Sequence, residues 1–153
     1  MTARTAALHH IAVESGDLDN SVRWYEDFFG AEATWSTDRF SALTRSRLPG
    51  VARLTEVVVG GLRFHLFERT GGPVSPPTGD GTRFQHVCLV VGSAADLERW
   101  RARWHELRDS GRYSYASAEP PTDIVVDDQG TASFYCLDVN GLEFEFTHVP
   151  AEP

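Results

Sequence analysis

The feature that most restricts what this chain can fold into is that it is written twice. Leu8-His9-His10-Ile11-Ala12-Val13 resembles Phe84-Gln85-His86-Val87-Cys88-Leu89, and Arg23-Trp24 recurs as Arg99-Trp100, both at an offset of 76 residues. Farther along, Gly61-Leu62-Arg63-Phe64-His65-Leu66-Phe67 parallels Gly141-Leu142-Glu143-Phe144-Glu145-Phe146-Thr147 at an offset of 80, so about four residues were gained in between. Two copies of this length cannot build a solenoid, which stacks several shorter repeats. The pattern predicts a duplicated half-domain whose corresponding elements occupy corresponding places.

Each half can be read from its hydrophobic periodicity. Residues 7–13 read as a strand that ends at Ser15-Gly16-Asp17, with Asp17 offered as a helix N-cap. Leu18, Val22, Tyr25 and Phe29 fall at helical spacing, and Gly30 suits the helix stop. A strand near 33–36, an Arg-, Ser- and Pro-rich loop to Gly50, and two strands at 53–59 and 62–68 joined by Gly60-Gly61 complete a β-α-β-β-β order. In the second half the same logic gives a strand at 84–91 and a helix capped by Ser93 with Leu97, Trp100, Trp104 and Leu107 on its buried side. Strands follow near 113–116, 131–137 and 142–148, the last two joined by a turn at Asp138–Gly141. At 153 residues the chain is of ordinary single-domain length. The expectation is one domain over 1–153, with a first module at about 7–69, a Gly- and Pro-rich linker at 70–82 and a second module at about 83–149.

Composition removes whole classes of function. A net charge of −8 disfavours nucleic acid, whose binding requires neutralising a run of phosphates. All 14 basic residues are arginine, which excludes Schiff-base and phosphate-loop chemistry that needs a lysine amine. Cys88 and Cys136 lie in apolar runs and read as buried small hydrophobes, not as a disulfide framework. No signal-like segment opens the chain and no apolar run approaches the ~20 residues that cross a bilayer, so a soluble cytoplasmic protein without a membrane partner is expected.

Alternation along the strands places Leu8, His10 and Ala12 on one face and His9, Ile11 and Val13 on the other. It likewise groups Arg63, His65 and Phe67, and separately Glu143, Glu145 and Thr147. The repeat superimposes His10 on His86 and His65 on Glu145, so two symmetric pairs of potential ligands arise. Imidazoles with one carboxylate suit Fe(II), Mn(II), Co(II), Ni(II) or Zn(II), and two His plus one carboxylate with open positions suits non-haem iron. His9 is set aside by its opposite parity, His105 and His148 as surface residues, and Asp127-Asp128 as turn chemistry. Glu56 and Glu143 would approach the cup only in a register different from the one assumed, and they remain reserve candidates.

These segments, with Asp17-Leu18, Trp24–Gly30 and Ser133–Glu145, resemble the vicinal oxygen chelate superfamily of glyoxalases, bleomycin-resistance proteins and extradiol dioxygenases over nearly the whole chain. The resemblance implies an α+β fold in which paired βαβββ modules form a cupped mixed sheet around a divalent metal that chelates two neighbouring oxygens. It implies metal ligands at His10, His86 and Glu145, and a homodimer. His65 falls where isomerases of the group place a further ligand.

Phe134-Tyr135, Asp138, Gly141 and Glu145 are similar to the signature of type I extradiol dioxygenases, with Val139 where that pattern has proline and no histidine in 123–132. That resemblance implies Fe(II), dioxygen and a small aromatic vicinal diol such as L-DOPA in a natural-product pathway, with His65 as proton shuttle and Tyr135 as hydrogen-bond donor. The rival readings are a metal-dependent isomerase or epimerase of the glyoxalase type, and an antibiotic-binding resistance protein with an apolar cleft lined by Trp35, Phe40 and Trp104. Arg39, Arg45, Arg47 and Arg53 are the cations that an acidic catechol would meet.

Overall fold

Asp17 and Gly30 delimit the first helix for physical reasons that their types announce. The Asp17 carboxylate accepts the Asn20 N–H at 3.0 Å, and Gly30 takes the left-handed φ of 67° that ends the helix and returns its N–H to the Tyr25 carbonyl. The computed structural model describes residues 6–71 and 84–151. The proposed linker, apart from Thr70 and Gly71, lies outside the described residues. The chain divides into two compact units, Met1–Val74 and Ser75–Pro153.

The first unit runs β1 (Ile11–Ser15), α1 (Leu18–Phe29), β2 (Glu32–Thr37), α2 (Ala42–Arg47), β3 (Val51–Val59) and β4 (Leu62–Arg69). The second runs β5 (His86–Val90), α3 (Ala94–Asp109), β6 (Val125–Val126), β7 (Ala132–Leu137) and β8 (Glu143–His148). Each unit holds one four-stranded mixed sheet, in the orders β1-β4-β3-β2 and β5-β8-β7-β6, with the first strand parallel to the last. The fold is α+β in two βαβββ modules, as the repeat predicts.

Register carries the duplication to single residues. Ala12 pairs with His65 in the first sheet and Cys88 with Glu145 in the second, which are the partners that the offsets of 76 and 80 demand. The glycines at 60 and 61, both at positive φ, close the β3–β4 hairpin with Val59 opposite Leu62. The Asp138–Gly141 turn forms as expected, with the buried Asp138 carboxylate accepting the N–H groups of Asn140 and Leu142 at 2.8 and 2.9 Å.

One face of each sheet packs on its helix and the other faces away from it. In β4, Phe64 and Leu66 are buried, and the Phe64 ring meets Tyr25 of α1. In β8, Phe144 and Phe146 are buried, and Trp100 of α3 stacks on Phe146. Trp104 is buried and donates its indole N–H to the Leu137 carbonyl at 2.7 Å. The alternate residues, His65 in β4 and Glu143 and Glu145 in β8, are thereby left on the face away from the helix.

Several expectations are corrected. Regular pairing begins at Ile11 and His86, so residues 7–10 and 84–85 are outside any strand. The buried stripe of α1 is Leu18, Trp24, Tyr25 and Phe28, with Val22 and Phe29 at its border; Trp24 and Phe28 stack and rotate the stripe toward themselves. Trp100 is only half-buried. The loop before Gly50 contains α2, capped by Ser41, which has no buried residue and therefore no periodicity to betray it. No strand forms at 113–116: Tyr113 and Tyr115 lie under the guanidinium groups of Arg112 and Arg108, and the place beside β7 is taken by β6. Cys136 is buried as expected, but Cys88 is exposed; no disulfide joins them. Among the described residues no helix is long and apolar enough to cross a membrane.

Candidate metal and acid–base sites

In the first unit, His65 is flanked by β1 on one side and β3 on the other. Glu56 of β3 stands directly opposite it in the ladder, and the Glu56 carboxylate meets His65 Nε2 at 2.9 Å. This corrects the register assumed from the sequence, which held Glu56 in reserve; Glu143, held in reserve with it, shares a face of β8 with Glu145 without any change of register. Counting back from the two-residue hairpin turn would have placed Glu56 opposite His65.

Glu56 is 3% exposed and also accepts the Thr34 hydroxyl at 2.7 Å, with the Arg63 guanidinium at 3.7 Å. The Thr34 and His65 hydrogen bonds hold its carboxyl down at about 2. Thr34 reaches Glu56 because of a bulge in β2: Ala33 pairs with Val57 and Trp35 with Glu56, leaving Thr34 as the extra residue. Such a bulge aims Thr34 and Trp35 at the same face. Trp35 accordingly sets its ring edge-on to His65, and at 44% exposed it is not a core residue.

The rings of His10 and His65 stack, with centroids 3.8 Å apart and planes 6° from parallel. His9 Nδ1 lies 2.9 Å from His10 Nδ1, and ligating atoms of His9, His10 and His65 fall within 4.8 Å of one another. His9 joins the cluster because strand alternation does not apply before Ile11. Desolvation, followed by the neighbouring His65 and His9, pushes the His10 pKa down and favours the neutral imidazole that binds metals. An imidazole binds an ion in its ring plane, so rings stacked in this way cannot share one ion without rotation.

In the second unit, His86 and Glu145 form the corresponding pair, Nε2 to Oε2 at 3.1 Å. Donors held about 2.1 Å from a common ion at right angles lie about 3 Å apart. The Gln85 side chain sets the tautomer. Its amide nitrogen donates to Glu143 at 2.9 Å, which turns its carbonyl oxygen onto His86 Nδ1. Nδ1–H is then the donor, and Nε2 presents a lone pair beside the Glu145 carboxylate. An imidazole lone pair against a carboxylate calls for a cation, and this donor set fits a divalent metal.

Tyr135 of β7 pairs with Glu145 of β8, the slot that Glu56 fills in the first unit. Its hydroxyl hydrogen-bonds Glu145, its ring meets His86 edge-on at 5.5 Å, and burial followed by the Glu145 charge pushes the phenol pKa up. Cys88 adjoins Glu145, and desolvation with that charge raises its thiol to about 11, so it is no thiolate ligand at neutral pH.

His105 packs edge-on to Trp104, and His148 Nδ1 faces the Val91 carbonyl at 3.4 Å. Both are half-buried rather than at the surface. Asp127 accepts two turn N–H groups, as expected. Arg53 is held by Glu68 at 2.8 Å and Asp19 at 3.2 Å, which removes it from the cations open to a substrate.

Within units, then, the structure brings together His10 with His65 and His86 with Glu145 and Tyr135. Sequence reasoning missed Thr34 and Gln85, set His9 aside by strand parity, and held Glu56 only in reserve.

The family model described as "Glyoxalase/Bleomycin resistance protein/Dioxygenase superfamily" matches residues 7–146. Among curated proteins none matches significantly. Among solved structures, a glyoxylase/bleomycin resistance protein/dioxygenase domain from Frankia sp. EAN1pec superimposes with a TM-score of 0.75 at 17% identity, over 98% of this chain and 96% of that one. A genomically encoded fosfomycin resistance protein, FosX, from Listeria monocytogenes gives 0.66 at 17% identity, over 96% of each chain. That protein has also been solved with Mn(II) and sulfate. Lactoylglutathione lyase from Agrobacterium tumefaciens gives 0.59 at 20% identity, over 95% and 96%.

Proposed function

The chain belongs to the glyoxalase/bleomycin resistance protein/dioxygenase superfamily, and from that premise we propose that it is a divalent-metal enzyme acting on two neighbouring oxygens, with extradiol cleavage of a small catechol as its reaction. The ligands in this reading are His10, His86 and Glu145, a set that suits Fe(II). The observation that supports the reading most is the phenol of Tyr135 on Glu145 beside His86, a hydrogen-bond donor next to a ligand pair.

His10, His86 and Glu145 would hold the divalent iron, which when bound would supply Lewis-acid activation of the catechol and of dioxygen. His65, stacked on His10 rather than sharing its ring plane, serves as the general base that takes a catechol proton and later returns it. Tyr135, its pKa raised, stays protonated at neutral pH, and its one O–H, held by Glu145 in the free enzyme, turns to a substrate oxygen when the catechol binds. Trp35 offers a half-exposed ring beside His65 for an aromatic substrate to lie against. Both atoms of dioxygen enter the ring-opened product, so no external reductant is required.

A metal-dependent isomerase is the second reading, favoured by the closeness of the His10 and His65 nitrogens, which makes His65 a fourth ligand after rotation of one ring. The test is protein purified without oxygen, loaded with Fe(II) and assayed in an oxygen electrode against a panel of catechols including L-DOPA. One dioxygen consumed per catechol, with a coloured ring-opened product, is expected. Absence of uptake overturns the reading, and turnover of a hemithioacetal under nitrogen with Ni(II) or Co(II) establishes the isomerase instead. Tight antibiotic binding without turnover also overturns it.

A further inference from the structure

The duplication fills one slot differently in the two modules, and the difference assigns a role to side chains that the proposed chemistry leaves unused. The residue opposite the last-strand functional group is Tyr135 in the second unit and Glu56 in the first. A carboxylate buried to 3% exposure beside two histidines, on a face that otherwise presents ligands and an acid–base group, is not there for core packing.

We propose that Thr34 and Glu56 are positioning residues for His65, forming a hydroxyl–carboxylate–imidazole relay across β2, β3 and β4 that fixes the proton of His65 on Nε2 and leaves Nδ1 as the accepting nitrogen. The inference rests on the reading of His65 as the general base. Its geometry is complete within the first unit: Thr34 donates to Glu56 Oε1 at 2.7 Å, and Glu56 Oε2 accepts from His65 Nε2 at 2.9 Å. The two carboxylate oxygens are thus divided between the two partners, so the Thr34 hydroxyl fixes the carboxylate rotamer and the carboxylate fixes the ring.

The β2 bulge is what makes this possible. An unbulged β2 would alternate strictly and turn either Thr34 or Trp35 to the opposite face, whereas the extra residue keeps both beside Glu56 and His65. Arg63, 3.7 Å from Glu56 and half exposed, adds positive charge that keeps the carboxylate ionised. A carboxylate in this place stabilises the imidazolium formed when His65 takes a proton, as carboxylates do for histidine bases generally. In charge and direction it does for His65 what Gln85 does as a neutral acceptor for His86: each fixes the tautomer of a ring by accepting from one nitrogen.

The test reads the proton itself. In the full-length, metal-free chain with ¹⁵N-labelled histidine, at a pH where His65 is neutral, the expected signal is a slowly exchanging, downfield ring proton showing one-bond coupling to His65 Nε2. It is expected to vanish in Glu56→Leu and Glu56→Ala, and to exchange faster in Thr34→Val, which alters only an exposed side chain and reads the relay even where the buried variants do not fold. A proton found on Nδ1, or an Nε2 signal unchanged in folded Glu56→Leu, overturns the proposal.

In the iron-loaded enzyme, with a catechol the wild type cleaves, Glu56→Leu is expected to lower kcat roughly 10- to 100-fold and leave KM within about twofold, with formate restoring part of the rate in Glu56→Ala. An equal loss through KM alone contradicts a positioning role. Should the wild type show no oxygen uptake, the dioxygenase reading fails while the ring proton still decides the relay.

Discussion

Replacing Tyr135 by phenylalanine removes one oxygen atom and leaves the ring in place, so it isolates the hydrogen bond to Glu145. Tyr135 and Glu145 are direct cross-strand partners, and the neighbouring residues Phe134 and Phe146, stacked with centroids 5.2 Å apart on the helix side, hold both strands. The substitution should therefore leave the fold intact. What it removes is a donor that orients a carboxylate already 3.1 Å from His86 Nε2. Loss of such an orienting partner typically costs about 10- to 100-fold in metal affinity, or about 1.4 to 2.7 kcal/mol. Anaerobic competition of Tyr135→Phe and wild type against a chromophoric chelator, with Fe(II) and with Zn(II), measures this directly, and a urea melt reports stability. A metal Kd within about twofold of wild type, at equal stability, would refute the reasoning that places Tyr135 in support of the metal ligand.

Gly30→Ala forces a Cβ onto a φ of 67° with open space around it, so strain in the backbone alone should cost about 1 kcal/mol, read as a lowered urea midpoint at constant slope. Trp104→Phe leaves the part-buried Leu137 carbonyl without its indole donor and should cost about 1 kcal/mol by the same assay. The Glu68 carboxyl is held below its ordinary value by its hydrogen bond to Arg53 and by the Leu18 N–H. Its contribution is therefore fully present above the ordinary carboxylate range and is lost as pH falls through the depressed value. Denaturant melts from pH 7 to pH 3 should show a shallower acid loss in Glu68→Gln than in wild type; parallel curves would contradict this.

Much of the fold was legible because strong local signals agreed with one another. The Asp17 cap, the Gly30 stop, the Gly60-Gly61 hairpin and the Asp138–Gly141 turn each require a residue type that the sequence supplies at that position. What escaped lacks such a signal: α2 buries nothing, and the β6 pairing of only two exposed valines leaves no alternation to detect.

The residue pair within each unit was legible by a different route, through the matched offsets that align His10 with His86 and His65 with Glu145. The residues that escaped there depend on departures from regularity. His9 turns in because the chain before Ile11 is not yet a strand, and Thr34 turns in because of a bulge that no residue type marks. Glu56 was held in reserve only because its register was misjudged, since the two-residue hairpin already fixes its place opposite His65.

The central proposal is that His10, His86 and Glu145 hold a single divalent ion. The number of Fe(II) ions bound per chain under anaerobic conditions, in wild type and in His10→Ala, His86→Ala and Glu145→Ala, tests it most directly. The account predicts one ion per chain in the wild type and its loss in each of the three folded variants. Retention of wild-type stoichiometry and affinity in any one of them would contradict it.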